Sequence, residues 1–438
     1  MQPATLTNST AMDDRTSPAK DAAPASQTEA DYARRWQRVM DCVNLKTPDR
    51  MPAGLLMNFW LARYGGISYR QQMYDYDKVA EIAESICREF EPDFFTSPHM
   101  MTCFGPMLDA IDFRQLEWPG HGVPDDRPYQ YLDREYMTAD EYDDFLFDPT
   151  GFYLGTYLPR VAGAYAGLEP LASLAGNAYL GVGFATMAFG DPRLRQAFDK
   201  LEAASHVVHD FIAHEIEFGR RMAALGTPLG FGSIASAPYD AMADFFRGAT
   251  GMMKDLYRRS DKVLEALDKM ATLIVRRTLA QAKFVRNPLV FIPIHWAPDP
   301  FMSHKQFETF WWPSFKKMVL AFIEAGLVPM PLWESDCTRR LETLRELPAG
   351  KCIHWFEKTD LVRAFEVLGD VAALRGGLNS SLLTTGSPDA IDAAVRHLAE
   401  NVFHKGGKLI FDSGFGIPDE TPVENVRAMF AAVRRYGA

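Results

Sequence analysis

Three short apolar runs follow one another at 327–333, 351–356 and 371–378, and helix-patterned stretches at 339–347 and 361–368 separate them. Short strands alternating with helices give parallel βα units, which restricts the fold to α/β architectures. The first run ends in Glu334, Asp336 and Cys337, the second carries His354 and Glu357, and the third leads into Asn379. In a closed parallel barrel the C-terminal strand ends hold the chemistry, so polar residues gathered there read as an active site. The expected fold class is α/β, a single (β/α)8 TIM barrel.

At 438 residues the chain is long for one domain, but barrels with insertions reach this size. Residues 1–32, rich in Ala, Ser, Thr, Pro and Asp, bury too little apolar surface to offset ordering entropy and are expected to form a disordered arm. The barrel is expected over 33–438, with a helix from Tyr32 to about Leu45 and a first strand over 53–58. The Pro-, Asp- and aromatic-rich segment at about 112–160 reads as hairpins and loops inserted over the barrel mouth, where specificity is set.

A net charge of -11 argues against nucleic acid or anionic membrane as the partner, since both reward clustered Lys and Arg. Five scattered cysteines form no CxxC and imply a reducing compartment, and no apolar run reaches the ~18 residues of a membrane helix. The expectation is a cytoplasmic enzyme acting on a small molecule.

Five segments, in order, carry a resemblance: TPDRMP (47–52), FFRGATGMMKDLYR (245–258), PFMSHKQFETFWWPSFKKM (300–318), LGDVAALRGGLNSSLLTTGSPD (368–389) and GFGIPDETPVENVRAM (414–429). Together they resemble the uroporphyrinogen decarboxylase superfamily, which includes the decarboxylase and corrinoid-linked methyltransferases. The resemblance spans roughly 35–438. It implies a methyltransferase moving a methyl group between a small, aromatic methoxy-type compound and a corrinoid (cobalamin) on a partner protein. The alternatives it leaves are a decarboxylase or lyase acting on an aromatic or tetrapyrrole acid, and a non-catalytic corrinoid- or tetrapyrrole-binding protein. A homodimer is a further expectation.

The chain departs from both branches. Where the decarboxylase loop carries two arginine positions, Asn58, Phe59 and Trp60 stand near the first, and Arg63 and Arg70 match later parts. TSP followed by His99 replaces the decarboxylase's catalytic aspartate. Leu332, Trp333 and Glu334 stand where the methyltransferases place a His-x-Cys zinc site, and Phe415 replaces the later cysteine. No Asp-x-His-x-x-Gly corrinoid motif occurs in the chain.

The residues that remain give the candidate set. Glu334, His354, His295 and Asp336 are the expected acid–base groups, with Asp299 placed to orient His295. Glu334, Cys337 and His354, with Asp412 nearby in the pattern, are the expected ligands if zinc is bound. Asn58, Trp60, Arg63, His99 and Asn379 are expected to position substrate. A carboxylate substrate would draw on Arg63, Arg70 and Arg375. Aromatics at strand ends, among them Phe59, Phe104, Trp296, Trp333, Trp355 and Phe415, point to a flat, weakly anionic substrate. His206, His209 and His214 share a helix too irregularly to read as a metal site.

Overall fold

The structure, a computed structural model, describes residues 27–438. Most of the expected arm, 1–26, lies outside the described residues. Residues 27–32 instead open the helix Gln27–Val43, whose buried side of Arg38, Val39, Cys42 and Val43 fixes it to the body.

The barrel strands are β1 (Gly54–Leu55), β2 (Phe94–Phe95), β3 (Ser233–Ile234), β4 (Leu289–Ile294), β5 (Val328–Trp333), β6 (Ile353–Phe356), β7 (Ala373–Leu378) and β8 (Leu409–Ser413). Six of them, β3 to β8, pair side by side in one parallel sheet, and β1 pairs in parallel with β2. Isolated parallel bridges Phe95↔Leu229 and Ala53↔Phe411 link β2 to the chain just before β3, and the residue before β1 to β8. The first three strands are shorter than their apolar runs: the run at 53–58 yields only Gly54–Leu55, so Asn58 begins a turn. Pro52 and the glycines of 228–235 cut the ladder there, because proline lacks a donor and glycine packs nothing.

Period-two alternation divides the strand side chains. Phe94, Leu289, Phe291, Met330, Leu332, Ile353, Trp355 and Ile410 fill the barrel interior. Val290, Ile292, Trp333, Phe356, Leu374 and Phe411 point outward against the helices. Arg375 and Asp412 have the inward parity and are fully buried. The Arg375 Nε and Nη2 donate to Asp412 Oδ2 at 3.0 and 2.5 Å, and the guanidinium lies 3.5 Å from the Trp355 ring centre. Gly54 makes room for this pair: a Cβ there would lie 2.3 Å from Phe94 and 2.7 Å from Asp412.

The insertion at 112–160 is a lid in its first half. Leu116–Pro119 pairs with Gly122–Val123 and antiparallel with Gln130–Tyr131. From Tyr142–Phe147 onward it turns helical, contrary to the expected run of hairpins. Asp148 caps the next short helix by accepting from Gly151 N at 3.0 Å, a local signal that competed with the turn-rich composition.

Candidate active site

The last residue of β4 is Ile294, and His295 and Trp296 follow it onto the barrel mouth. A short helix, Pro238–Ala241, continuing as Met242–Arg247, runs beside them and supplies Asp240 and Asp244, one helical turn apart. Asp240 is buried and anchors the backbone: its Oδ1 accepts from His295 N at 2.5 Å and Trp296 N at 3.3 Å, and its Oδ2 from Trp311 Nε1 at 2.7 Å. Burial, then the charge of Asp244, raises the Asp240 carboxyl above the usual carboxylate range.

Asp244 fixes the ring. Its Oδ2 lies 2.7 Å from His295 Nδ1 and its Oδ1 accepts from Trp296 Nε1 at 2.6 Å. On the other side His295 Nε2 lies 3.4 Å from Glu334 Oε1. Burial alone would lower the His295 pKa, but the bonds to Asp244 and Glu334 outweigh it and lift it to about 11. The imidazole is therefore a cation at neutral pH, held between two carboxylates, with 38% of its side chain open to the mouth.

Glu334 follows β5 and owes its aim to the next residue. Ser335 has a φ of 87°, unusual for a residue other than glycine. Its N–H donates to Glu357 Oε2 at 2.6 Å, so Glu357 at the end of β6 pins the turn that presents Glu334.

Two tyrosines of the insertion at 112–160 stand near enough to feel the charge of Glu334. Tyr129 lies edge-on to Phe59 at 5.8 Å, and Tyr131 edge-on to Phe245 at 6.0 Å. Burial and then nearby negative charges, including Glu334, raise both phenols, so both remain hydrogen-bond donors at neutral pH. Beside them a cavity of about 390 Å³ is lined by Tyr69, Arg127, Gln130, Asp419 and Glu420 among others. Burial pushes Asp419 up to about 6, although its Oδ1 accepts from Phe59 N at 2.9 Å.

Of the expected acid–base residues, His295 and Glu334 meet. Asp336 does not join them: its Oδ1 accepts from Thr338 N and Oγ1, at 3.0 and 2.6 Å, as a local turn cap. Asp299 does not orient His295 but faces Arg340 at 3.3 Å and accepts from Arg339 N. His354 has the outward parity of β6 and is buried, with its Nδ1 accepting from Trp333 Nε1 at 3.2 Å. Cys337 is likewise buried, and burial raises its thiol. Glu334, Cys337 and His354 thus form no ligand set, and among the described residues no group of three or more His, Cys, Asp or Glu is arranged to hold a metal ion. The residues present do not fit the expected zinc.

The expected substrate contacts separate similarly. Trp60 is buried behind the strands, donating to Thr421 O at 2.8 Å. His99 is buried against Tyr76 O at 3.0 Å, outside the barrel. Asn379 caps the helix Ser380–Thr385 through Leu382 N at 2.8 Å. Asn58 lies in the turn before the helix Trp60–Gly65, whose last turn carries the exposed Arg63. The residues that sequence reading missed are Asp240, Asp244, Tyr129 and Tyr131. An acidic pair four residues apart just after a strand was the available signal for the first two.

Burial without a charge partner depresses the His354 pKa to about 3. Protons bind the unfolded chain first, so stability is full above its ordinary value and falls as pH drops toward the folded one. By pH 4 the loss should be about 3 kcal/mol, at about 1.4 kcal/mol for each pKa unit. Denaturant titrations at pH 7 and pH 4 should show that His354→Phe has the flatter dependence, and equal slopes for the two proteins would refute this.

The ion-paired His295 thus stands at the C-terminal mouth of an α/β barrel, the face where barrels of this kind carry their functional residues. A family model described as uroporphyrinogen decarboxylase (URO-D) matches residues 188–436, and the chain belongs to that family. It is 24% identical over 182 residues to a uroporphyrinogen decarboxylase of Coxiella burnetii, covering 41% of this chain and 49% of the relative. To that of Cronobacter sakazakii it is 25% identical over 190 residues, covering 43% and 52%. The chain therefore spans about half the length of the curated relatives it matches. Its fold matches a methyltransferase from Methanosarcina mazei with a TM-score of 0.58 and 14% identity, covering 92% of this chain and 98% of that one. No helix among the described residues is long and apolar enough to cross a membrane.

Proposed function

We propose that the protein is a methyltransferase of the uroporphyrinogen decarboxylase family, taking a methyl group from a small aromatic methoxy compound and passing it to a corrinoid carried by a partner protein. The observation that carries this reading is the His295 imidazolium between Asp244 and Glu334. An aryl ether releases its methyl group only if the electron pair left on oxygen is stabilised or protonated. His295 Nε2–H is the donor for that oxygen, Asp244 holds the ring through Nδ1, and Glu334 steadies the cation and returns the proton from solvent. The corrinoid enters as co-substrate and supplies the electron pair that takes the methyl carbon. Tyr129 and Tyr131 offer ring faces to a flat donor.

The charge around the mouth favours a neutral donor over a polycarboxylate. Arg375 is consumed by Asp412 inside the barrel, and Arg70 lies 3.7 Å from Asp125 at the surface. Around the site and the neighbouring cavity, Asp244, Glu334, Asp419 and Glu420 outnumber Arg127. The test is to mix the protein with reduced cobalamin and a panel of methoxylated aromatics and follow methylcobalamin spectroscopically. Turnover is expected for at least one methoxy compound. Carbon dioxide release from aromatic or tetrapyrrole carboxylic acids, with no methyl transfer, would overturn the reading in favour of a decarboxylase.

A further inference from the structure

Arg340 is fully buried in the segment after β5, and its guanidinium nitrogens all bond to the chain that follows β4. Nε donates to Ala297 O at 3.0 Å, Nη2 to Met302 O at 2.6 Å and Nη1 to His304 Nδ1 at 3.2 Å. The guanidinium lies 4.7 Å from the Phe307 ring centre, with Asp299 Oδ1 3.3 Å from Nε. Two further bonds cross between the same loops. Asp299 N donates to Asp336 O at 2.8 Å, and Arg339 N donates to Asp299 Oδ2 at 2.9 Å. The first of these loops begins with His295 and the second with Glu334.

A buried cation is a costly way to fill space, since an apolar side chain of similar volume packs without the desolvation penalty. An apolar side chain would leave Ala297 O and Met302 O without their donor, in a loop that belongs to no helix or strand. The guanidinium is planar and holds its donors in fixed directions, so it sets the spacing of these two carbonyls and ties both to the chain after β5. Asp240 pins the start of the same loop at His295 N. We propose that Arg340 is a positioning residue, locking the loop that carries His295 to the loop that carries Glu334 and so setting how closely imidazole and carboxylate meet.

His295 is faced by Asp244 and Asp240 from one side and by Glu334 from the other. Without Arg340 the loops part, Glu334 withdraws and Asp244 stays. The imidazole should then lose its proton at a pH about 1 or more below the wild-type value of about 11, yet above the ordinary histidine value, because Asp244 remains. The measurement is a pH titration of the full chain carrying isotope-labelled histidine, followed by NMR, with His295 assigned by its loss in His295→Gln. Arg340→Met and Arg340→Lys should both show the downward shift while circular dichroism at neutral pH is unchanged. Lysine keeps the charge but cannot span two carbonyls. Asp299→Ala removes the acceptor of Arg339 N and leaves the arginine in place, so it should shift the titration too and is readable even if both Arg340 variants fail to fold. Asp412→Ala, on β8 at the other end of the six-stranded sheet, lowers stability and should leave His295 where it is, which separates positioning from general loosening. A wild-type titration in the folded loop variants, or an equal shift in Asp412→Ala, would overturn the inference. Failure of all three loop variants to fold would overturn it as well, assigning the network to folding alone. The readout is the protonation of one ring and needs no substrate, so a failure of methyl transfer leaves it standing.

Discussion

Asp412→Ala is expected to destabilise the protein by about 3–5 kcal/mol, the usual cost of stranding one member of a buried ion pair. Arg375 and Asp412 are both fully buried inside the barrel. Burial lowers the arginine's pKa and raises the aspartate's, and each resists the other's shift. Removing Asp412 leaves a guanidinium whose remaining contacts are the Trp355 and Phe94 faces and Met330 Sδ. It would still be charged and dry. The double variant Arg375→Met, Asp412→Leu removes the desolvation cost along with the attraction, and should recover most or all of the loss. Urea midpoints of the wild type and the two variants check this. A double variant as unstable as Asp412→Ala would show that packing around Gly54, and not charge, sets the penalty.

That pair also shows what the chain makes legible and what it hides. The strand runs over 289–294, 328–333, 353–356 and 373–378, and the helix Leu361–Leu368, follow directly from apolar periodicity, because each is long enough for its pattern to dominate. Facing is harder to read. His354 looks like a strand-end catalytic residue, but one position of parity on β6 sends it to the helix side, and the same parity brings Arg375 inward. Trp60, Asn379 and Asp336 were each claimed by a backbone partner that no local pattern reveals with certainty. His295 and Glu334 could be read because each directly follows the end of a clear strand. Asp244 could not, because its strand is only Ser233–Ile234 and its helix begins four residues after that strand ends.

His295→Gln should lower turnover of a methoxylated donor by roughly 10²- to 10⁴-fold, the usual contribution of a positioned proton donor. KM should change little, because the side chain that is lost acts on the leaving oxygen and the stacking faces of the lid remain. The electrostatics allow a sharper version of the test. With both carboxylates in place His295 stays protonated until pH approaches about 11. The protonated form is the donor, so activity should hold through neutral pH and fall only as pH rises through that value. Asp244→Asn keeps the ring's hydrogen-bond partner but removes one of the two charges, so the fall should begin at lower pH. Glu334→Gln removes the other charge and should shift it in the same direction. Because the raised pKa also links protonation to folding, stability from this cluster is complete below the ordinary histidine value and is lost as pH rises through the folded one. Activity must therefore be compared at pH values where circular dichroism shows the chain folded. If the alkaline limb of kcat stays put in Asp244→Asn while His295→Gln is inactive, then His295 acts by binding and not by giving a proton. If His295→Gln turns over normally, the proton comes from another group, and Tyr131, the lid phenol on which Asp244 and Glu334 both act, is the next to replace.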